Sequence, residues 1–354
     1  MNTTERRHDI DWLRVIAIFL LVLYHLVIGF QPWGLMFGFI GNSTPLTALW
    51  IPMTAINIWR IPLLFFVSGM GVYFALRSRS VSALLKDRFI RIAVPLLFGA
   101  FTIVPLQLWL LRTHYDWKPA YTPEPAHLWF LGNIMLYVLL LTPLMLALKR
   151  HPGGRFAQTL QRMAATPWLW LMLTALFLLE AATLNPQPFE LYALTLHGFL
   201  FGALAFLSGF LMLLGGAPVH NSLQRLRWVF LAGAVILFAY RTLQFPETVP
   251  AWQLMMESLT WIAAVLAFAA RHLNRPSRIL TYLSSAVYPV YILHMVFQAA
   301  ASMLIFPLEL PAPVKFALVL TLTLTASFLT CELLLRRIWW LGGLFGTGFK
   351  KNNS

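Results

Sequence analysis

Ten apolar runs, separated by proline, glycine and basic clusters, leave this chain little choice of solvent. A transmembrane helix needs about 20 consecutive, predominantly apolar residues. The runs fall at 12–30, 54–77, 92–111, 128–148, 167–184, 191–214, 228–244, 253–270, 282–306 and 314–335. Composition agrees: 59% of residues are apolar and only 11% are charged, whereas an ordinary soluble domain draws on roughly 25% charged residues to coat its surface. The pattern predicts an all-α, polytopic transmembrane helical bundle of about ten helices. It forms a single membrane-embedded domain over 1–354, with a short cytoplasmic tail at 338–354.

The net charge of +14 would suit nucleic acid, but its distribution argues for a membrane instead. With the N-terminus inside, 20 of the 26 lysines and arginines fall in cytoplasmic segments: Arg6, Arg7, Arg77, Arg79, Lys86, Arg88, Arg91, Lys149, Arg150, Arg155, Arg162, Arg225, Arg227, Arg271, Arg275, Arg278, Arg336, Arg337, Lys350 and Lys351. Arg112, Lys118, Arg241 and Lys315 lie near the opposite face, and Arg14 and Arg60 lie in or close to spans. This is the positive-inside pattern. It places both termini in the cytoplasm and supports an even helix count. The first run keeps Arg14 and His25 and lacks a small-residue cleavage site, so it reads as a retained helix rather than a signal peptide. Residues 31–53 carry no ionisable side chain, and a stretch of that kind dips into the membrane or lies along its surface. Cys331 is the single cysteine, which excludes an internal disulfide, and no metal-ligand cluster, phosphate-binding glycine loop or nucleophile elbow is readable.

Ionisable groups inside membrane spans are costly and point to function. Arg14 and His25 are eleven residues apart, which puts them within about 20° of one helix face and about 16 Å apart along the axis. They share a stripe but cannot touch. Asp11, three residues before Arg14, is placed to pair with it. His294 ends an aromatic stretch in the ninth run. Glu180, His197, Arg60, Arg241, Glu257 and Glu332 lie in or at the ends of spans, with no task assignable from burial alone. Ser68-Gly69 permits close helix packing. Arg88 and Arg91, at i and i+3, would direct both guanidinium groups one way and could hold phosphates.

Four motifs in order extend this reading: Asp11-Trp12-Leu13-Arg14 followed by His25, Leu64-Phe65-Phe66-Val67-Ser68-Gly69, Arg88-Phe89-Ile90-Arg91 with Pro95, and Tyr291-Ile292-Leu293-His294. With them the sequence resembles the acyltransferase 3 family of membrane-embedded acyltransferases over nearly its whole length. His127-Leu128-Trp129-Phe130-Leu131 and the ending Glu332-Leu333-Leu334-Leu335-Arg336-Arg337 through Leu344-Phe345-Gly346 resemble the branch that decorates periplasmic glucans, the glucan-biosynthesis C proteins.

The resemblance implies a multi-pass protein of the bacterial inner membrane. It would transfer acetyl or succinyl from cytoplasmic acetyl-CoA or succinyl-CoA to hydroxyls of an extracytoplasmic glycan. Acyl-CoA is a donor substrate here, with no permanently bound cofactor and no metal. The implied partners are the glycan acceptor, the lipid bilayer and glucan-synthesis proteins, with no nucleic acid. On this reading His25 is the general base or covalent acyl carrier, a role suited to imidazole. Arg14 sits near the thioester, and Arg88 and Arg91 hold the donor phosphates. His294, Tyr291, His127 and Trp129 position the sugar or its oxyanion, and Asp11, Ser68 and Glu332 give polar support. A succinyl carboxylate would look to Arg60 or Arg241. The competing readings are a transporter or flippase, which broken helices near the midplane would favour, a non-catalytic subunit of a glucan-synthesis assembly, and the same enzyme class acting on O-antigen, exopolysaccharide, peptidoglycan or a lipid.

Overall fold

The computed structural model describes residues 7–150, 154–245 and 247–347. Arg6, Lys350 and Lys351 of the charge pattern, and the tail from 348 onward, lie outside the described residues. Among the described residues there is no strand. Nine helices of the described residues are long and apolar enough to cross a membrane, or ten when a bent pair counts as one span. We number the helices α1 (His8–Ile28), α2 (Trp50–Ser78), α3 (Val81–His114), α4 (Trp129–Arg150), α5 (Arg155–Ala164), α6 (Trp168–Leu184), α7 (Leu196–Leu214), α8 (Gly216–Gln244), α9 (Ala251–His272), α10 (Arg278–Ile305), α11 (Ala312–Leu335) and α12 (Trp339–Leu344). The bent pair is α5 and α6, which meet at 101°.

Three helices depart from the expected spans: α3 begins at Val81 rather than at 92, and two others differ for local reasons. The run placed at 191–214 becomes helical only at Leu196, where Thr195 caps the helix by accepting a hydrogen bond from the Gly198 amide at 3.0 Å. The run placed at 228–244 is helical from Gly216. Its polar first turns are held by side-chain bonds: Trp170 Nε1 donates to Ser222 Oγ at 2.8 Å and Gln224 Nε2 to the Ala267 carbonyl at 2.7 Å.

The helices gather into two compact units, each assembled from three stretches of chain. The first comprises Met1–Ala17, Ala55–Leu85 and Leu136–Leu280. Within it α2 and α7 approach backbone to backbone. A Cβ at Gly69 would collide with the Phe206 carbonyl, and one at Gly209 with the Phe66 carbonyl. The small-residue contact expected at Ser68-Gly69 is therefore made by the glycine, while Ser68 Oγ donates to its own helix at the Leu64 carbonyl, 2.7 Å away. Pro62 cannot donate to the Ile58 carbonyl four residues back. That carbonyl instead accepts hydrogen bonds from Tyr192 and Ser258, both at 2.8 Å. Four of the ionisable groups left unassigned by sequence are paired here. Glu180 bonds His197 at 2.8 Å, and Arg241 bonds both carboxylate oxygens of Glu257 at 2.8 Å. Arg241 is thus committed to Glu257 rather than open to a succinyl carboxylate.

The second unit comprises Ile18–Thr54, Lys86–Met135 and Thr281–Ser354. Its core packs Val22, Leu26, Phe30, Leu111, Phe306 and Val319 together. The uncharged stretch 31–53 forms two short 3-10 turns, Gly34–Phe37 and Thr47–Leu49. It is pinned to the end of α1, with Asn42 N donating to the Gly29 carbonyl and Leu46 N to the Phe30 carbonyl, each at 2.8 Å. α3 remains continuous through Pro95 and Pro105 because two wide π turns, Phe89–Ala93 and Gly99–Ile103, precede them. The Phe101 carbonyl, which Pro105 cannot serve, accepts the Tyr121 hydroxyl at 2.9 Å. At the end of the described chain Gly346 adopts φ +83°, and a Cβ there would strike the ring of Tyr288.

Candidate active site

Three elements of the second unit bring imidazoles together: the last turn of α1, the 3-10 turn Ala126–Leu128 that opens α4, and the middle of α10. His25 Nδ1 lies 2.8 Å from His294 Nε2. The two ring planes are 3° apart and their centroids 5.2 Å apart. That separation is close to the nitrogen–nitrogen distance plus the two ring radii, so the rings meet edge to edge in one plane along the hydrogen bond.

The other nitrogen of His294 settles the proton positions. Nδ1 lies 2.6 Å from the Tyr291 carbonyl, which can only accept, so His294 Nδ1 carries the hydrogen. Neutral His294 then presents a lone pair at Nε2, and His25 must donate into it from Nδ1. The basic lone pair of His25 is thereby left on Nε2. This is the logic of a hydrolase triad, with a buried imidazole and a carbonyl in place of the usual carboxylate.

His294 is fully buried, so its orientation is set by packing as well as by the bond. The His127 ring stands against it edge to face, at 84° with centroids 5.3 Å apart. His127 Nε2 faces the Ile292 carbonyl at 3.3 Å. Its Nδ1 is buried with no hydrogen-bond partner. The Tyr291 hydroxyl donates to the His127 carbonyl at 2.6 Å, tying α10 to the turn before α4. Trp129, the first residue of α4, is 8% exposed.

Gln298 was not among the residues singled out by sequence. Its Nε2 donates to the His25 carbonyl at 2.8 Å, fixing the end of α1 against α10. The signal was present: Tyr291, His294, Gln298 and Ser302 follow one another at intervals of three or four along an otherwise apolar helix, and so share a face. A cavity of about 10 Å³ lies beside this stripe, lined by Gln107, Gln298 and Ser302 among others.

The remaining candidates are placed as follows. Arg88 and Arg91 lie in the second unit. Arg88 is half-buried, whereas Arg91 is exposed and pairs with Asp87 at 3.1 Å. A π turn, Phe89–Ala93, begins directly after Arg88 and contains Arg91. Glu332 pairs with Arg336 at 3.0 Å, and Arg336 also donates to Ser285 Oγ at 2.6 Å. Asp11, Arg14 and Ser68 belong to the first unit. Arg14 Nη1 lies 3.5 Å from Asp11 Oδ1, the pairing their spacing predicts, with over a third of the Arg14 side chain exposed.

The model of an acyltransferase domain family, acyltransferase 3, matches residues 7–332. Comparison with curated proteins and with solved structures returns no match.

Proposed function

Because the chain belongs to the acyltransferase 3 family and is built of membrane-spanning helices, we propose that it is an O-acyltransferase in which His25 Nε2 removes the proton from an acceptor hydroxyl. The observation that carries this reading is the in-plane His25–His294 bond, since it leaves the basic nitrogen of His25 on the edge away from His294. As the hydroxyl O–H bond breaks, the proton moves to Nε2 and the oxygen attacks the thioester carbonyl of an acyl-CoA donor. The C–S bond then breaks, and the proton passes from His25 to the departing thiolate. The transient imidazolium is stabilised by its Nδ1–H bond to His294, which the Tyr291 carbonyl holds in turn. If His25 instead carries the acyl group, Nε2 is again the attacking atom.

In this scheme Arg14 stands eleven residues back along α1, toward the donor, and Arg88 and Arg91 offer charge to its phosphates. His127, Tyr291 and Trp129 shape the acceptor side. The acceptor we favour is an osmoregulated periplasmic glucan and the acyl group acetyl or succinyl, on the strength of the motifs at His127–Leu131 and Glu332–Gly346. The setting we favour is the bacterial inner membrane with both termini in the cytoplasm, on the strength of the basic-residue pattern. Transport finds no helix break at Pro62, Pro95, Pro105 or Pro289, all of which lie within continuous helices; the one break among the described residues, between α5 and α6, lies away from them in sequence. The test is mass spectrometry of periplasmic glucans and surface polysaccharide from a deletion strain complemented with wild type, Arg14→Ala or His25→Ala, each checked for membrane expression. Restoration of an acyl mass by wild type alone is expected. Full restoration by His25→Ala defeats the scheme.

A further inference from the structure

Two adjoining cavities in the first unit have no part in this chemistry. One, of about 160 Å³, opens among the first turns of α1, the end of α2, the start of α8 and α9, and is edged by Arg7, Asp9, Arg77 and His220. The other, of about 60 Å³, runs among α6 to α9 and is walled by Trp170, Phe177 and Phe230. Met212 and Leu266 line both, so a polar-rimmed recess leads into an aromatic slot. We infer that this pair of cavities is a binding site for an anionic glycerophospholipid, with the phosphate at Arg7, Arg77 and His220 and an acyl chain along the slot.

Charge favours the headgroup. Arg7 is tied to Asp9 by two bonds, at 2.8 and 2.6 Å. Among the described lining residues, Arg7, Arg77 and His220 outnumber the single carboxylate, Asp9. Gly216 and Ala217, the first residues of the long helix α8, also line the recess, and a helix N-terminus favours an anion.

The slot favours a hydrocarbon chain over the pantetheine arm of coenzyme A. Thr174 and Thr260 are its polar residues, and the Thr260 hydroxyl is already directed to the Met256 and Glu257 carbonyls. The two amides of pantetheine would enter with few partners, which is costly, whereas a saturated chain needs none. The recess takes Asp9, Ile10 and Leu13 from α1, and the proposed donor arginine, Arg14, is not among its lining residues. The site does not depend on the transferase reading, and its test reads binding alone.

The full chain would be purified in mild detergent and examined by native mass spectrometry and by thermal shift, with phosphatidylglycerol, phosphatidylcholine or coenzyme A added separately. Retention of phosphatidylglycerol and a rise in Tm specific to it are expected. Arg77→Gln with His220→Gln should weaken its apparent affinity about fivefold or more, the effect of one or two basic groups facing an anionic lipid. Thr174→Phe, which fills the slot without touching the charged rim, should weaken both phospholipids alike. This second variant reads the site independently if the first does not fold. Equal retention of phosphatidylglycerol and phosphatidylcholine by wild type overturns the proposal, as does unchanged binding in folded variants. Protection by coenzyme A alone assigns the cavity to the donor instead and also overturns it.

Discussion

Replacing His294 separates the two things it does for His25. In the proposed mechanism the His294 Nε2 lone pair, 2.8 Å from His25 Nδ1, fixes the His25 tautomer and would stabilise the imidazolium formed as the acceptor proton arrives. A hydrogen bond to a charged group is worth roughly 1.5–3 kcal/mol, or about 10- to 150-fold in rate. The tautomer preference rests on a neutral hydrogen bond worth about 1 kcal/mol, a further factor of about five. His294→Leu removes both effects and should lower the acylation rate by roughly 50- to 750-fold. His294→Gln can place an amide oxygen near the former Nε2 position, where it still accepts from His25 Nδ1. It should therefore recover much of the tautomer effect and part of the charge stabilisation, losing no more than about 10-fold. The assay is the initial rate of thiol release from an acyl-CoA by protein in proteoliposomes, with glycan acceptor supplied on the other side and protein quantified by a folded-fraction measurement. Leu and Gln variants with equal rates, or a Leu variant at the wild-type rate, would refute the relay even if His25 proved essential.

The packing and pairing of the first unit are open to simpler tests. Gly69→Ala puts a methyl group into the Phe206 carbonyl and should abolish folded protein in detergent size-exclusion chromatography, whereas Gly233→Ala meets only Thr260 at 3.4 Å and should be tolerated. Glu257→Gln leaves the Arg241 guanidinium without its carboxylate partner and should cost about 3–5 kcal/mol, read as a large fall in Tm. Adding Arg241→Met to it should return most of that loss, and a double variant no better than the single one would contradict the pairing argument. Tyr192→Phe removes one of the two hydroxyls on the Ile58 carbonyl and should cost about 1 kcal/mol, while its combination with Ser258→Ala should cost more than the sum of the single changes.

Much of the molecule was legible in the linear chain because a bilayer imposes simple rules. Apolar length set where helices form, so the run at 167–184 and the helix Trp168–Leu184 agree nearly residue for residue. Local spacing set the Asp11–Arg14 pair, and the small residue at Gly69 marked a close helix contact. Local spacing could not show that the turn at Phe89–Ala93, which contains Arg91, is a π turn rather than an α-helical one. The pairings between distant segments could not be read from periodicity at all: Glu180 with His197, Arg241 with Glu257, and the two hydroxyls on the carbonyl freed by Pro62. Each joins groups that local spacing leaves as isolated costs, and only the fold supplies the partner. The same holds at the candidate site. The sequence by itself determined that His25 and His294 are imidazoles in apolar helices, 269 positions apart. The tertiary structure decided that they lie edge to edge, and that a carbonyl behind one of them dictates which nitrogen of the other is basic, because proton positions follow from hydrogen-bond partners that only the folded chain brings within reach.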